Sequence, residues 1–162
     1  MKSISVIFIV AKYPATYGHT SVINNLCHGL NELGHKTAIG AFSFDSDPPK
    51  GVEKVILKKN ELLRSGVASL EYDIIHPHQA QVLYYLLFKK PEKPIVFHYH
   101  AASNIIQELN LKSSMKLFKK RISKFISVSE KASHHLEEWA GKCDDVVIYN
   151  GVNTKFFHPD LD

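Results

Sequence analysis

The apolar sequence ISVIFIV occupies residues 4–10, close to the start of the chain. It has the length of one strand, is rich in β-branched residues and includes the aromatic Phe8. Strands that are covered on both faces of a parallel sheet have this nearly continuous apolar composition. The stretch therefore predicts a buried, central first strand, and it is too short before Lys12 to favour a signal peptide.

Strand and helix patterns alternate from this strand onward. Further strands are predicted at residues 35–42, 52–57, 73–76, 94–100, 125–128 and 146–149, and helices at 61–70, 79–88, 104–110, 113–123 and 130–139. The first helix is predicted from one apolar face, which comprises Val22, Ile23, Leu26, Leu30 and Leu33 and ends before Gly34. Ser129 is a predicted N-cap. The alternation predicts a single-domain α/β fold, a doubly wound, Rossmann-like parallel sheet with helices on both faces.

Composition describes an ordinary globular domain. The chain has 162 residues, of which 44% are hydrophobic and 22% charged, and this excludes a disordered or collagen-like protein. Its net charge of +4 is compatible with anionic ligands. No apolar run approaches the ~20 residues that span a bilayer. Cys27 and Cys143 lack metal-type spacing, which favours small buried side chains in a reducing, cytoplasmic compartment.

Ligands of doubly wound sheets bind beyond the carboxyl ends of the strands. This rule selects the loops that begin at Tyr13, His76, His100, Ser129 and Asn150. Gly18 lies in the first of them, where the lack of a Cβ lets backbone amides approach a phosphate. Its surroundings match neither dinucleotide-binding nor Walker motifs, so a plain turn glycine is the alternative.

Two histidine pairs end predicted strands, His76 with His78 and His98 with His100. Because side chains alternate along a strand, both members of a pair face the same side of the sheet. A four-histidine zinc site is one interpretation. No acidic or cysteine ligand lies nearby in the sequence, so we favour histidines that hydrogen-bond a sugar hydroxyl or phosphate, and no metal is expected.

A basic segment is predicted to form an amphipathic helix between residues 111 and 125. Its apolar face carries Leu111, Met115, Phe118, Ile122 and Phe125, and its basic face carries Lys112, Lys116, Lys119, Lys120, Arg121 and Lys124. We favour a core-packed helix with a solvated charged face. The alternative is docking to anionic lipid headgroups through Lys116, Lys119, Lys120 and Lys124. Interleaved exposed aromatic residues are missing, which argues against a nucleic-acid partner.

Five segments together resemble the amino-terminal domain of GT-B glycosyltransferases of family 4, and they cover nearly the whole chain. They are the region 17–35, DIIHPH at 73–78, VFHYH at 96–100, FISVS at 125–129, and IYNGVN with FHP between 148 and 159. The resemblance implies a retaining, metal-independent hexosyltransferase without cofactors. Such an enzyme moves a sugar from a nucleotide diphosphate donor to a glycan or lipid-linked acceptor.

The resemblance also implies roles for single residues. His100 corresponds to the histidine that contacts the transferred sugar at the reaction centre. Gly18, Ser129 and Asn150 fall on the donor side, and His76, His78 and His19 on the acceptor side. The chain departs from the family pattern at Tyr17 and Ala101, where glycine is usual, and at Thr20, which replaces a glutamate. Tyr17 is expected to crowd the approach of the phosphate.

The resemblance assigns residues 1–150 to an acceptor-side domain and 151–162 to the start of an interdomain linker. The carboxyl-terminal, donor-binding domain is expected in cis or in trans, and the chain alone is expected to be inactive. The alternative is a noncatalytic glycan- or membrane-binding module, or a regulatory subunit of a split glycosyltransferase. A cytoplasmic location is expected. The alternative is a peripheral location on the inner face of the membrane.

Overall fold

The computed structural model describes residues 2–15, 18–102 and 104–151, so most of the predicted linker lies outside it. These residues form seven strands and five α-helices. The strands are β1 (Ser5–Tyr13), β2 (Lys36–Phe44), β3 (Glu53–Ile56), β4 (Ile74–Pro77), β5 (Val96–Tyr99), β6 (Lys124–Ser127) and β7 (Asp145–Val147). The helices are α1 (His19–Glu32), α2 (Lys59–Ser65), α3 (Leu83–Leu86), α4 (Ile105–Phe118) and α5 (Glu130–Ala140).

All strand pairings are parallel. One set runs in the order β3-β2-β1-β4 and the other in the order β5-β6-β7. A parallel bridge between Ile75 and Ile95 joins the two sets, and the Ile75 N–H donates to the Pro94 carbonyl over 3.1 Å. The predicted doubly wound sheet is therefore confirmed. Its direction of winding reverses between β1 and β4, which is where folds of this kind bind ligands.

The two faces of β1 belong to different layers of the core. Ile7 and Ile9 pack with residues of α2, α3, α4 and α5 on one face. Val6, Phe8 and Val10 pack on the other face, against α1. Because helices cover both faces, β1 has no solvent-facing row, and this explains its uninterrupted apolar sequence.

Helix α1 presents a narrower apolar face than the sequence predicted. Ile23 and Cys27 are fully buried, whereas Leu33 is 72% exposed. The helix ends at Glu32, and the following Gly34 has a φ of 81°, so the chain turns away before Leu33 reaches the sheet. The assignment of Leu33 to the buried face was wrong, because it assumed one more residue of helix.

Two other helix predictions need correction. The predicted helix over 79–88 is reduced to a 3₁₀ turn, Ala80–Val82, and the single turn of α3. The two helices predicted over 104–110 and 113–123 are one helix, α4, because its buried residues Leu111, Ser114, Met115 and Phe118 form one continuous face. Lys124 lies in β6 and not on that helix.

The predicted cap of α5 is confirmed. The Ser129 hydroxyl accepts a hydrogen bond from the Ala132 N–H over 3.1 Å, which satisfies one of the free donors at the start of the helix. Within the described ranges, we find no helix with the length and apolar character needed to cross a bilayer.

Candidate functional site

Four histidines lie at the carboxyl ends of β4 and β5. They stand beside the core layer that packs against α1, where apolar side chains would be the ordinary choice. His76 lies in β4 and pairs with Phe8 of β1, and His98 lies in β5. His78 and His100 follow two residues later, so they face the same side of the sheet. The Phe8 ring, which belongs to the α1 layer, lies 5.0 Å from the His76 ring.

The histidine rings are in mutual contact. The rings of His76 and His78 are 4.9 Å apart, those of His78 and His98 are 4.8 Å apart, and those of His98 and His100 are 4.5 Å apart. The first residue of α1 completes the group, because the His19 ring lies 4.4 Å from the His100 ring. We call these five residues the histidine cluster. The structure confirms that both pairs face one side.

Burial keeps the cluster uncharged. His78 is 2% exposed and His98 is 3% exposed. Burial, followed by the neighbouring histidines, lowers the pKa of His76 and His98 to about 3 and that of His100 to about 2. The same causes hold the pKa of His78 well below its ordinary value, and burial lowers the pKa of His19. The five imidazoles are therefore neutral at physiological pH.

The cluster contains few internal hydrogen bonds. Nδ1 of His78 lies 2.8 Å from Nε2 of His100, so one of these two nitrogens donates to the other. Within the described residues, five buried ring nitrogens have no hydrogen-bond partner; they are Nδ1 of His19, Nε2 of His76, Nε2 of His78, and Nδ1 and Nε2 of His98. A buried polar atom without a hydrogen-bond partner destabilises the folded state by about 1–3 kcal/mol. Leucine or phenylalanine in place of these histidines would avoid that cost. These nitrogens are therefore available to hydrogen-bond or coordinate a ligand.

A cavity opens beside the cluster at the carboxyl ends of β4 and β5. His19, His78 and His100 line it together with Gln79 and Asn110. The Gln79 side-chain oxygen also accepts from the Ala11 N–H at the end of β1, over 2.8 Å. The cavity thus lies where the sheet geometry predicts a ligand site, and its walls combine imidazoles and amides.

The loop after β5 is held by Tyr99. The Tyr99 hydroxyl accepts from the Ala102 N–H over 2.9 Å and lies 2.5 Å from Nδ1 of His135. Nε2 of His135 lies 3.4 Å from the Glu108 carboxylate. Burial is the first reason that the pKa of Tyr99 is raised to about 12, which keeps its hydroxyl protonated. These contacts fix the loop that presents His100 to the cavity.

Ala101 has a left-handed backbone in this loop, with a φ of 69°. A residue with a Cβ pays about 1–2 kcal/mol in that conformation. We expect Ala101→Gly to raise the free energy of unfolding by about 0.5–1 kcal/mol, since relief of strain exceeds the extra entropy of glycine in the unfolded chain. Urea unfolding monitored by circular dichroism would measure the change.

Ala102→Gly is the matched control for this prediction, because Ala102 does not have a positive φ. It should lower the free energy of unfolding slightly. An Ala101→Gly protein that is less stable than the parent would contradict the prediction.

Comparison with known proteins bears on this geometry. Residues 17–156 match the family described as Glycosyltransferase Family 4, which is most of the chain. The chain belongs to glycosyltransferase family 4. No curated protein sequence shows a significant match to it.

Solved structures show the same fold as this family 4 chain at low sequence identity. Anabaena Alr3699/HepE in complex with UDP-glucose is 14% identical, with a TM-score of 0.68, over 94% of this chain and 45% of that one. Sucrose-phosphate synthase from Thermosynechococcus elongatus is also 14% identical, with a TM-score of 0.69, over 96% of this chain and 50% of that one. The chain therefore spans about half the length of these structures and has the fold of one half of a GT-B protein.

The predicted donor-side residues of this family 4 chain do not all meet in one hollow. Gly18 caps α1 with a φ of 78° and directly precedes His19, which lines the cavity. Asn150 lines a second pocket, together with Leu26 and His98. Ser129 lines neither of these two pockets, and its hydroxyl is engaged in the cap of α5. Their roles towards a donor stay predictions, and Tyr17 lies outside the described residues.

The four lysines proposed as an anion site are not equivalent in the structure. The Lys119 ammonium donates to the Ala140 and Gly141 carbonyls over 3.0 Å each, at the end of α5. Lys124 pairs with Asp144 over 3.1 Å. Lys116 and Lys120 are exposed. The prediction of one basic helix face was wrong, because two of the four lysines stabilise neighbouring parts of the fold.

Sequence patterns did not identify every residue at the cavity. Gln79, Gln107 and Asn110 line it, but no motif includes them. Gln79 could have been found because it directly follows His78 at a strand end. Gln107 and Asn110 line the cavity because α4 packs beside β5. Local sequence patterns do not predict which helix packs beside which strand.

Proposed function

We propose that this chain is the amino-terminal, acceptor-side domain of a retaining glycosyltransferase that moves a sugar, of hexose type, from a nucleotide diphosphate donor to a glycan or lipid-linked acceptor. The observation that carries the proposal is His100, a neutral imidazole at the end of β5 that lines the cavity. Family membership and a GT-B half-fold support it. The buried free thiols Cys27 and Cys143 support a cytoplasmic location.

A neutral imidazole suits contact with a sugar. It donates one hydrogen bond and accepts another, so it can bind hydroxyl groups without adding charge. If Nδ1 of His78 carries the proton shared with His100, then His100 carries its own proton on Nδ1 and is a donor. Gln79 and Asn110 add amide groups to the same cavity, as expected for a site that orients hydroxyl groups.

The cavity lacks the charges that release of a diphosphate requires. No lysine or arginine is among the described residues that line it. Stabilisation of developing negative charge is usually the largest catalytic contribution. We therefore assign that contribution to cationic side chains of a second domain, in cis or in trans, and the proposed transfer step uses no metal.

A chimera would test the proposed function. This chain replaces the half of HepE that it matches, and the structure of HepE with UDP-glucose provides the donor probe. We expect the chimera to release UDP from UDP-glucose, with water or an added sugar as acceptor, and the 162-residue chain alone to release none. Turnover by the isolated chain would refute the need for a second domain. A folded chimera that binds UDP-glucose without releasing UDP would refute the transfer function.

A second candidate function, attachment to an anionic membrane surface, is favoured by the outer side of α4. Ile105, Ile106 and Leu109 are exposed there, with Ile106 at 68%. Exposed Lys116 follows them on the same helix. Apolar side chains beside lysines are typical of helices that lie in the headgroup region of a bilayer.

We expect the double variant Lys116→Glu with Lys120→Glu to weaken binding to phosphatidylserine vesicles at low salt by about 30-fold or more, since each lysine near the surface contributes about 1 kcal/mol. Vesicle sedimentation would measure it. The control is the double variant Lys36→Glu with Lys50→Glu. It makes the same change in net charge at two exposed lysines that lie outside α4. Equal binding by the parent and both double variants would exclude docking through α4.

A further inference from the structure

We propose that His76, His78 and His98 form a binding site for a transition metal ion of the Zn²⁺ class. Each side chain offers one ring nitrogen, and these three atoms lie within 4.8 Å of one another. His76 lies in β4, His78 directly follows that strand and His98 lies in the neighbouring β5, so all three ligands are held at the carboxyl end of the sheet. The inference rests on the histidine geometry and is independent of the proposed sugar transfer.

The free nitrogens are the observation that favours a metal. Nε2 of His76, Nε2 of His78 and both nitrogens of His98 are buried without a hydrogen-bond partner among the described residues. A metal ion would accept a lone pair from one nitrogen of each ring at once, whereas a sugar hydroxyl has a single proton and can donate it to only one of those nitrogens. Neutral imidazole is also the form that binds a metal.

The ligand type selects the class of ion. Imidazole nitrogens suit Zn²⁺, Cu²⁺, Ni²⁺ and Fe²⁺, whereas Mg²⁺ and Ca²⁺ prefer oxygen ligands. No aspartate or glutamate is among the described residues that line the adjacent cavity. Three histidines with one open coordination position are the ligand set of many zinc sites.

His100 completes the arrangement as a positioning residue. Its Nε2 lies 2.8 Å from Nδ1 of His78. If Nδ1 of His78 donates this bond, Nε2 of His78 has a free lone pair for the metal. Metal-binding histidines almost always donate from their second nitrogen in this way, which fixes both tautomer and ring orientation.

Small side-chain movements would close the site. Tetrahedral Zn²⁺ with Zn–N distances of about 2.0–2.1 Å needs ligand nitrogens roughly 3.3 Å apart. The observed upper limit of 4.8 Å is larger by roughly 1.5 Å, so metal binding requires the imidazole rings to rotate towards a common centre.

Spectroscopic titration would test the site. The EDTA-treated 162-residue chain is titrated with CoCl₂, and ZnCl₂ is then added. We expect one Co²⁺ per chain with the strong visible absorption of four-coordinate cobalt, displacement by Zn²⁺, and a rise in the melting temperature with Zn²⁺. An absence of the cobalt spectrum, or a sulfur-to-cobalt band that indicates Cys27 or Cys143, would overturn the proposal.

Variants assign the ligands. His98→Phe and His76→Phe should each weaken Co²⁺ binding at least 100-fold, and His100→Gln should weaken it about 10–100-fold, the range for outer-shell partners. His28→Gln with His134→Gln removes two exposed imidazoles and should leave binding unchanged. Unfolding measured in EDTA identifies any variant that fails to fold. If His98→Phe fails to fold, His98→Gln replaces it in the titration. Parent-like affinity in a folded His98 variant, or loss of binding in the His28 and His134 variant, would overturn the assignment.

Discussion

The chimera that carries His100→Ala is expected to release UDP from UDP-glucose about 10²–10³ times more slowly than the parent chimera. This is the usual loss when one preorganised hydrogen-bond donor is removed from a reaction centre. His100 lines the cavity, and the loop that presents it is fixed by the Tyr99 and Ala102 hydrogen bond. The measurement is the initial rate of UDP release at saturating donor.

Two further measurements isolate the role of His100. The affinity for UDP should change little, because the second domain is expected to hold the nucleotide, so the loss should appear in kcat. His134→Ala removes an exposed histidine from α5 and is the matched control. A His100→Ala chimera that retains most of its rate would remove His100 from the reaction centre.

Acidification from pH 7 to pH 5 is expected to lower the free energy of unfolding of the metal-free chain by at least about 6 kcal/mol. Burial is the main reason that the pKa values of His76 and His98 are about 3 and that of His100 about 2 in the folded protein. The ordinary value in the unfolded chain is about 6.5. At pH values between these two limits, the unfolded chain binds more protons than the folded chain. The free energy of unfolding therefore decreases as the pH is lowered.

The size of the effect follows from this difference. A histidine that stays neutral in the folded state costs about 2 kcal/mol at pH 5 relative to pH 7, so His76, His98 and His100 together give about 6 kcal/mol. His78, whose pKa is also held well below its ordinary value, adds to this sum. A domain has only about 5–15 kcal/mol of stability, so unfolding is expected near pH 5. Stability should be fully present above about pH 6.5 and lost progressively below it.

Urea unfolding in EDTA at several pH values would measure this loss. His98→Phe should reduce it by about 2 kcal/mol, because one buried imidazole no longer gains a proton on unfolding. His134→Gln, on the exposed side of α5, should leave the loss unchanged. Equal stability of the parent at pH 7 and pH 5 would show that the folded cluster accepts protons readily.

Local patterns predicted the strands better than the helices. The run at residues 4–10 identified β1 because burial on both faces removes polar residues from one contiguous segment. The split predicted within α4 was wrong, because Leu111, Ser114, Met115 and Phe118 form one continuous buried face in the structure. Helix ends depend on packing, which local spacing does not contain.

The same limit applies to the site. The spacing of His76 with His78 and of His98 with His100 was enough to predict side chains on one face of the sheet. It was not enough to show that neither nitrogen of His98 has a partner in the part of the chain that the structure describes, or that His19 lies against His100. Those facts depend on which strands are neighbours and on where α1 begins.

By itself, the sequence determined the alternation of strands and helices, the family, and the histidines at two strand ends, because each of these is a property of contiguous residues. Only the tertiary structure decided that five histidines share one buried cluster, that Lys119 and Lys124 serve neighbouring elements, and that Ala101 has a left-handed backbone. The physical reason is that burial and partnership arise between segments that are distant in the chain, and they exist only once the sheet has brought those segments together.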